Sequence, residues 1–435
     1  GVCSPLGTDG IMWGIDLNND APIFFEPFFD AKGDKTAAHM IGLGKTGGGK
    51  TYLLSHLLRR SAAAGARVVL IEPQSHAKRL IDSVNYGGDR AAKRFAITAN
   101  DSLNPLDVVV HIDDEGRYPP ISEQVEHVLG RISVLMGSDV TVMGADGKDR
   151  QTFRPKEWSE EQDAILSMAL ERVYQPFAHR IVDLSFEETP TLDAVIEQLR
   201  VLVEEYKVGS AQCEQSEEMS DVAKKLIILF RSKLINQLGP IVNRTTTIRW
   251  DFDEYAVLAY GLDGLKTQRL KTYFFDHIFT SINRYIRRPD RDRSVPIIVC
   301  FDEFAWSFSS IPTLLRFAAN ATKTWRTMRA ALWVWDQDLH QYLGVTDAQT
   351  NPDLKSVWEN STIRIIFKQG EEPARRLKEK LPYLTSDHMY QIIHATKGNF
   401  LLAWERAGND DFDPYQVWFA RMFSTPRERQ DFTGS

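Results

Sequence analysis

The stretch Gly44-Lys45-Thr46-Gly47-Gly48-Gly49-Lys50-Thr51 decides the fold. It has the Walker A spacing, G-x-x-x-x-G-K-[ST], and its place in the chain fits that pattern. Apolar residues 37–42 precede it as a predicted strand, and a stripe of leucines in residues 52–64 follows it as a predicted helix. Residues 67–72 then form an apolar run typical of a buried strand. This strand, loop, helix and strand make a βαβ unit, which predicts a parallel sheet covered by helices.

The residue types of this stretch suit a nucleotide phosphate. Glycines let backbone N–H groups curl around a phosphate, and the helix N-terminus adds partial positive charge. Lys50 would bridge the β- and γ-phosphates, and the Thr51 hydroxyl would bind Mg²⁺. We therefore predict that residues 44–51 bind a nucleotide together with Mg²⁺.

Hydrolysis also needs carboxylates near the phosphates, and two acidic residues follow a later apolar run. Residues 295–301 lead directly into Asp302-Glu303. We predict that Asp302 holds Mg²⁺ and that Glu303 acts as the general base toward water. Paired acids after a strand also serve as helix N-caps, which is the structural alternative. The chain lacks an Asn-Lys-x-Asp motif, and this favours ATP over GTP.

Three further polar residues are candidates for catalysis. Gln337 follows the apolar run 330–335, where it would sense the γ-phosphate or orient the water. Arg326 or Arg329 would reach the nucleotide of a neighbouring subunit and stabilise charge on the transferred phosphoryl group. The structural alternatives are a loop glutamine and a solvated basic helix face.

The rest of the chain predicts an interrupted α/β domain. Short apolar runs at 11–13 and 22–25 predict strands. Residues 122–230 carry helical periodicity, and strand-like runs return at 254–260, 295–301, 330–335 and 362–367. We expect residues 1–120 to form the first part of the domain, 121–245 a mainly helical insertion, and 246–435 the second part with a C-terminal tail.

Composition narrows the class of protein. The 435 residues include 52 Lys+Arg, 59 Asp+Glu and three cysteines, for a formal charge of −7. Cys3, Cys213 and Cys300 are far apart, so neither a disulfide framework nor a zinc site is suggested, and a reducing cytosol fits. No apolar run approaches the ~18 residues of a membrane span. The chain opens on Gly1 with no initiator Met, and we expect further domains upstream.

In order and spacing, these motifs resemble the C-terminal ATPase half of the TraC- and CagE-type ATPases of conjugation and type IV secretion, within the HerA–FtsK class of ring-shaped motors. The matching segments lie along nearly the whole chain: His39-Met40-Ile41-Gly42, Leu103-Asn104-Pro105-Leu106-Asp107, Ser122-Glu123-Gln124, Ala169-Leu170-Glu171-Arg172-Val173-Tyr174, Phe301-Asp302-Glu303, residues 323–337, Gly398-Asn399-Phe400-Leu401-Leu402 and Ser424-Thr425-Pro426-Arg427-Glu428. The sequence departs from the family at Asp336, where relatives usually carry a small hydroxyl residue, and at residues 72–76.

The resemblance implies a RecA-like parallel-sheet P-loop ATPase domain with an all-helical insertion, and nucleotide bound between the subunits of a hexamer. It implies ATP hydrolysis that drives pilus assembly or substrate transfer at the cytoplasmic face of the inner membrane, in contact with the secretion complex and other secretion ATPases. By position, Arg326 matches the family arginine better than Arg329 does.

Two other functions share this sequence pattern. A HerA-like DNA translocase would use the same catalytic residues, and DNA contact would need basic surface. The basic cluster of residues 284–293 is interleaved with Asp290 and Asp292, which favours a solvated loop. A scaffold that binds nucleotide without turnover is the second alternative, and the presence of Lys50, Asp302 and Glu303 speaks against it.

Overall fold

The computed structural model describes residues 10–28, 38–72, 77–87, 91–98, 100–110, 117–143, 149–210, 214–248, 252–305, 312–344, 350–405 and 415–433. The chain forms two compact units. The first unit comprises residues 1–96, 251–263 and 292–435, and the second comprises 97–250 and 264–291. The predicted insertion, residues 121–245, falls inside the second unit.

The regular elements alternate along the chain. The strands are β1 (Ile11–Asp16), β2 (Pro22–Phe25), β3 (Met40–Leu43), β4 (Arg67–Glu72), β5 (Ala92–Ala96), β6 (Ser138–Met143), β7 (Asp149–Arg154), β8 (Val257–Gly261), β9 (Ile297–Asp302), β10 (Ala330–Asp336), β11 (Ile363–Ile366), β12 (Asn399–Glu405) and β13 (Tyr415–Arg421). The α-helices are α1 (Lys50–Ala63), α2 (Lys78–Gly87), α3 (Ile121–Met136), α4 (Glu160–Tyr174), α5 (Leu192–Ser210), α6 (Glu214–Leu229), α7 (Asn236–Val242), α8 (Gln268–Arg287), α9 (Pro312–Thr324), α10 (His340–Leu343), α11 (Pro352–Asn360), α12 (Glu371–Lys380), α13 (Ser386–His394) and α14 (Pro426–Thr433).

A large, mostly parallel sheet organises the first unit. Its described strands have the order β2-β1-β13-β12-β11-β3-β10-β9-β4-β8-β5. Every neighbouring pair from β11 to β5 is parallel, whereas β12, β13, β1 and β2 extend the sheet in antiparallel fashion. The parallel part confirms the predicted α/β fold class. The strands β5, β12 and β13 are absent from the prediction; in β5 the polar residues of an edge strand obscure the apolar pattern.

One face of this sheet is covered by the helix that the leucine stripe predicts. Leu53, Leu54, Leu57 and Leu58 of α1 lie in one buried cluster with Met40 of β3. The same cluster contains Trp333 and Trp335 of β10, together with apolar residues of β1, β4, β11 and β12. The phosphate-loop strand β3, in the centre of the sheet, thus shares one buried cluster with α1 and with large aromatic side chains of β10.

The second unit is mostly helical. It contains α3 to α8, a 3₁₀ segment at Gln175–Asp183 and a π-helical turn at Phe230–Ile235. The antiparallel hairpin of β6 and β7 also belongs to it, and the expectation of an all-helical insertion did not include this hairpin. Ser159 and Gln162 form a capping box at the start of α4, which explains why that helix begins after Ser159.

A buried turn anchors the start of the second unit. The Asn104 side chain accepts a hydrogen bond from the N–H of Leu106 at 3.1 Å and donates to the carbonyl of Pro190 at 2.8 Å. Asp107 accepts a hydrogen bond from the hydroxyl of Thr246. Burial raises the pKa of Asp107 to about 7. The Asn-Pro-Leu-Asp segment of the sequence therefore ties distant parts of this unit together.

Candidate functional site

The phosphate loop, residues 44–51, lies between the end of β3 and the start of α1. Gly47 and Gly49 have φ of 83° and 105°, in the left-handed region that glycine adopts without strain. A Cβ on Gly44 would lie 2.5 Å from the Cβ of Phe367. The loop therefore combines backbone conformations and a close approach that larger residues would not permit, as a cradle for phosphate requires.

Lys50 points into this loop. Its side chain is buried, and its ammonium donates to the carbonyl of Gly44. Burial lowers the pKa of Lys50, while the negative charges of Asp302, Asp336 and Glu303 act in the opposite direction. The fold thus places the predicted lysine in the field of the acidic strand end, defined here as Asp302 and Glu303.

The acidic strand end and the phosphate loop meet because three parallel strands end at one edge of the sheet. The register pairs Asp336 of β10 with Leu43 of β3, and Trp335 of β10 with Asp302 of β9. The N–H of Gly44 donates to the carbonyl of Asp336 at 3.2 Å. Residues that follow β3, β9 and β10 in the sequence are therefore neighbours in space, as expected at the carboxyl edge of a parallel sheet.

Gln337 connects the two halves of the site. The hydroxyl of Thr46 donates to Gln337 Oε1 at 2.9 Å, and Gln337 Nε2 donates to Glu303 Oε1 at 2.9 Å. Glu303 itself has φ of 56°, a left-handed conformation that costs a non-glycine residue about 1 kcal/mol or more. A hydrogen-bonded chain thereby runs from the phosphate loop to the acidic strand end.

A cavity opens beside this chain of hydrogen bonds. It has a volume of about 380 Å³ and is lined by Glu303, Asp336, Gln337, Asp338 and Gln341. Asp336 is buried there, and its carboxylate accepts the N–H of Ala305 at 3.0 Å. Desolvation raises the pKa of Asp336 to about 7. The cavity therefore places polar groups around the carboxylate of Glu303, the predicted general base.

The two candidate arginines lie away from this edge. They belong to the segment at the Trp325–Met328 turn that precedes β10, so the seven residues of that strand, about 20 Å, separate them from Gln337. Arg329 is buried in a left-handed conformation, and its guanidinium donates to the carbonyl of Ser294 at 2.6 Å. Arg326 is half-buried, and its charge lowers the pKa of the buried His39, although burial is the larger cause.

The structure adds a contact to the phosphate loop that sequence reasoning missed. The N–H of Gly398 donates to the carbonyl of Gly48 at 3.1 Å, and the carbonyl of Gly398 accepts the N–H of Met422 at 2.9 Å. Gly398 has φ of 89°. In the sequence, the segment around Gly398 matches a segment of the family, but no local pattern indicates that it contacts a loop 350 residues earlier in the chain.

The basic cluster of residues 284–293 is largely engaged within the protein. Arg284 donates to a backbone carbonyl of the second unit at 3.1 Å, and Arg291 is buried and donates to another at 3.2 Å. Arg288 forms an ion pair with Asp290. These contacts indicate that the basic cluster has a structural role.

The residues present at the carboxyl edge fit the predicted nucleotide and metal. Gly47 and Gly49 give the loop left-handed backbone conformations that suit a phosphate-binding turn, and Lys50 supplies a buried cation beside it. In the described part of the chain no group of three His, Cys, Asp or Glu side chains forms a metal cluster. Two protein ligands such as Thr51 and Asp302 suffice for Mg²⁺ when phosphate and water oxygens complete its octahedron.

This arrangement has the fold of the RecA-like P-loop ATPases, with a phosphate-loop strand in the middle of a mostly parallel sheet. In particular, it is similar to the structure of VirB4 of Thermoanaerobacter pseudethanolicus, with a TM-score of 0.71 and 17% identity over 97% of this chain and 98% of that one. The bacterial conjugative coupling protein TrwBΔN70 matches with a TM-score of 0.51 and 13% identity, over 89% and 87% of the two chains. These neighbours confirm, at the level of fold, the resemblance seen in the sequence.

A TrwB structure in complex with ADP and Mg²⁺ matches at the same level, with a TM-score of 0.51 and 12% identity over 91% of this chain and 88% of that one. No protein-family profile and no curated protein sequence matches the chain. Among the helices of the described residues, none has the length and apolar character needed to cross a membrane.

Proposed function

We propose that this protein hydrolyses ATP with Mg²⁺ and so powers a type IV secretion or conjugation machine. The hydrogen-bonded chain from Thr46 through Gln337 to Glu303 carries the proposal, because it joins the phosphate loop to a carboxylate in reach of an attacking water. The fold shared with VirB4 and TrwB supports the same conclusion.

In this proposal each residue has one task. The N–H groups of the phosphate loop and the Lys50 ammonium bind the β- and γ-phosphates, and Thr51 and Asp302 hold Mg²⁺. Mg²⁺, when bound, neutralises charge on the phosphate oxygens. Glu303 accepts a proton from the attacking water, and Gln337 orients that water while keeping Glu303 in place.

Two features of the proposal concern assembly. Arg326 lies at the amino edge of the sheet and therefore would serve the nucleotide of a neighbouring copy, which supports a ring, most simply a hexamer. We further propose that the ring works at the cytoplasmic face of the inner membrane, with the secretion complex and other secretion ATPases as partners.

The base preference needs its own measurement. TrwB, with the same fold at a TM-score of 0.52, has been solved with the GTP analogue GDPNP. We propose ATP because the sequence carries no guanine-reading Asn-Lys-x-Asp motif. Turnover of MgATP and MgGTP by the same preparation decides this, and equal rates would contradict the preference.

The test of the proposed function is phosphate release by the full chain, compared with Lys50→Ala and Glu303→Gln. We expect Lys50→Ala to weaken MgATP binding and Glu303→Gln to keep binding while turnover falls about 100-fold or more. Wild-type turnover equal to that of Glu303→Gln would favour the scaffold alternative. Tight, length-dependent DNA binding at physiological salt with DNA-stimulated turnover would favour the translocase alternative.

A further inference from the structure

Asp336 occupies a central position that none of the roles above uses. It is the last residue of β10 and is buried beside the cavity that Glu303 lines. Its backbone carbonyl accepts the N–H of Gly44, at the start of the phosphate loop. The next residue in the chain, Gln337, bridges that loop and Glu303. The backbone of Asp336 is therefore already part of the site's framework.

The carboxylate of Asp336 holds a different segment. Both of its oxygens lie 3.0 Å from the N–H of Ala305, which is two residues after Glu303. The hydroxyl of Tyr342, on α10, donates to the same carboxylate. A buried carboxylate with two donors is a fixed anchor, because losing either donor leaves polar atoms unpaired in a water-poor environment.

The anchored segment is the one whose backbone is strained. Glu303 adopts φ of 56°, and a non-glycine residue keeps such a conformation only when its surroundings hold it there. On one side Asp302 is paired in the sheet with Trp335, and on the other Ala305 is tied to Asp336. The direction of the Glu303 side chain is set between these two fixed points.

We propose that Asp336 is a positioning residue for hydrolysis, whose carboxylate holds the turn that carries Glu303. This inference rests on the proposed ATPase function. In it, Asp336 touches neither nucleotide nor water; it acts through the backbone of residues 303–305 and thereby aims the general base.

Two variants of similar size separate this role from mere space filling. Asp336→Asn keeps an acceptor oxygen for Ala305, whereas Asp336→Leu keeps the size and removes every acceptor. We expect Asp336→Leu to lower kcat about tenfold or more while MgATP affinity changes less than about threefold, and Asp336→Asn to retain most of kcat. Hydrogen exchange at the Ala305 amide should quicken in Asp336→Leu alone, a readout independent of turnover.

A double-mutant cycle with Glu303→Gln makes the test specific. If Asp336 works by aiming Glu303, then Asp336→Leu has little further effect on single-turnover rates once the base is gone. Equal loss in both backgrounds, or full activity of Asp336→Leu, would overturn the inference. Should Asp336→Leu fail to fold, Tyr342→Phe removes the second contact of the carboxylate, and its loss of kcat must likewise vanish in the Glu303→Gln background.

Failure of the proposed function gives a different pattern. A wild-type chain that binds MgATP and shows no turnover would overturn the ATPase proposal and this inference with it. Normal wild-type turnover with additive effects of Asp336→Leu and Glu303→Gln would overturn the role of Asp336 alone.

Discussion

At the scale of single residues, the site depends on close contacts that leave no room for change. Gly44 illustrates this: its N–H donates to the carbonyl of Asp336, its carbonyl accepts a hydrogen bond from Lys50, and Phe367 leaves no space for a Cβ. Gln337 illustrates the opposite case, because its side chain is exposed and takes part in two hydrogen bonds. The first kind of contact shapes the phosphate loop, and the second leaves the Gln337 amide accessible to water.

Gly44→Ala should damage nucleotide binding. The new Cβ would meet Phe367 at 2.5 Å, so the loop or the ring must shift, at a cost of about 1–3 kcal/mol for overpacking. We expect MgADP affinity to fall about tenfold by calorimetric titration. Gly130→Ala is the control: it lies in α3 with no atom within 4 Å of the added Cβ, and it should be neutral or stabilise by about 0.5–1 kcal/mol. Unchanged affinity in Gly44→Ala would show that the cradle is not tight.

Substitution of the two candidate arginines should change different properties: thermal stability for one and turnover for the other. Arg329→Ala removes a guanidinium that is buried and bonded to Ser294, so its main effect should be a lower Tm. Arg326→Ala should lower Tm less than Arg329→Ala does, because the Arg326 side chain is only half-buried, and it should lower kcat about 100-fold or more. Thermal unfolding and turnover measured on the same preparations check both. The reverse assignment would follow if Arg329→Ala lost turnover at an unchanged Tm.

At the scale of elements, strand ends and turns do what isolated residues cannot. The carboxyl ends of β3, β10 and β9 bring the phosphate loop, Gln337 and Glu303 together, while β12 and β13 place Gly398 against Gly48. The loop is thus held from both sides, by β10 and by the antiparallel extension. In the second unit the turn at residues 104–107 has a comparable structural role around Asp107.

Asp107 should make stability depend on pH. Its pKa is raised by burial to about 7, against 3.8 for the ordinary group. The folded state therefore holds a proton that the unfolded state releases, and this stabilisation is complete below about pH 4 and lost as pH rises to 7. Between pH 5 and 7 we expect the free energy of unfolding to fall by about 1 kcal/mol per pH unit more in wild type than in Asp107→Asn.

Urea unfolding at several pH values measures this difference. The control is Asp221→Asn, at an exposed carboxylate whose ion pair with Lys224 lowers its pKa. A lowered pKa affects stability only at more acidic pH, so this variant should follow the wild-type slope between pH 5 and 7. Parallel curves for wild type and Asp107→Asn would contradict the prediction.

At the scale of the whole molecule, the residues proposed for the nucleotide site lie on opposite edges of the sheet of the first unit. The phosphate loop and the acidic strand end lie at the carboxyl edge, and Arg326 precedes β10 at the amino edge. Under the proposed role, Arg326 would reach the nucleotide of another copy through a head-to-tail contact, and such contacts form a ring when the rotation between copies closes.

Mixing two inactive variants tests this arrangement. In a ring, a Glu303→Gln subunit beside an Arg326→Ala subunit forms one site with both groups intact. We expect an equal mixture of the two variants to recover about a quarter of wild-type turnover, if subunits mix at random and sites act independently. Each variant mixed with wild type is the control. Turnover no higher than the sum of the separate variants would place both groups in the same subunit's site.

By itself the sequence determined the features that depend on neighbours along the chain. The glycine-rich loop, the helix after it, the apolar strands and the residues that follow them are local patterns. They sufficed to predict the fold class and to nominate residues 44–51, 302, 303 and 337 as site candidates. The tertiary structure alone decided which of these residues meet. Thr46 and Gln337, for example, are 291 positions apart. The order of strands in the sheet also produces the buried contacts of Asp336, the hydrogen bond between Gly398 and the phosphate loop, and the hydrogen bond from Arg329 to Ser294. Such contacts form only when the hydrophobic core brings distant segments together, and no short-range pattern records them.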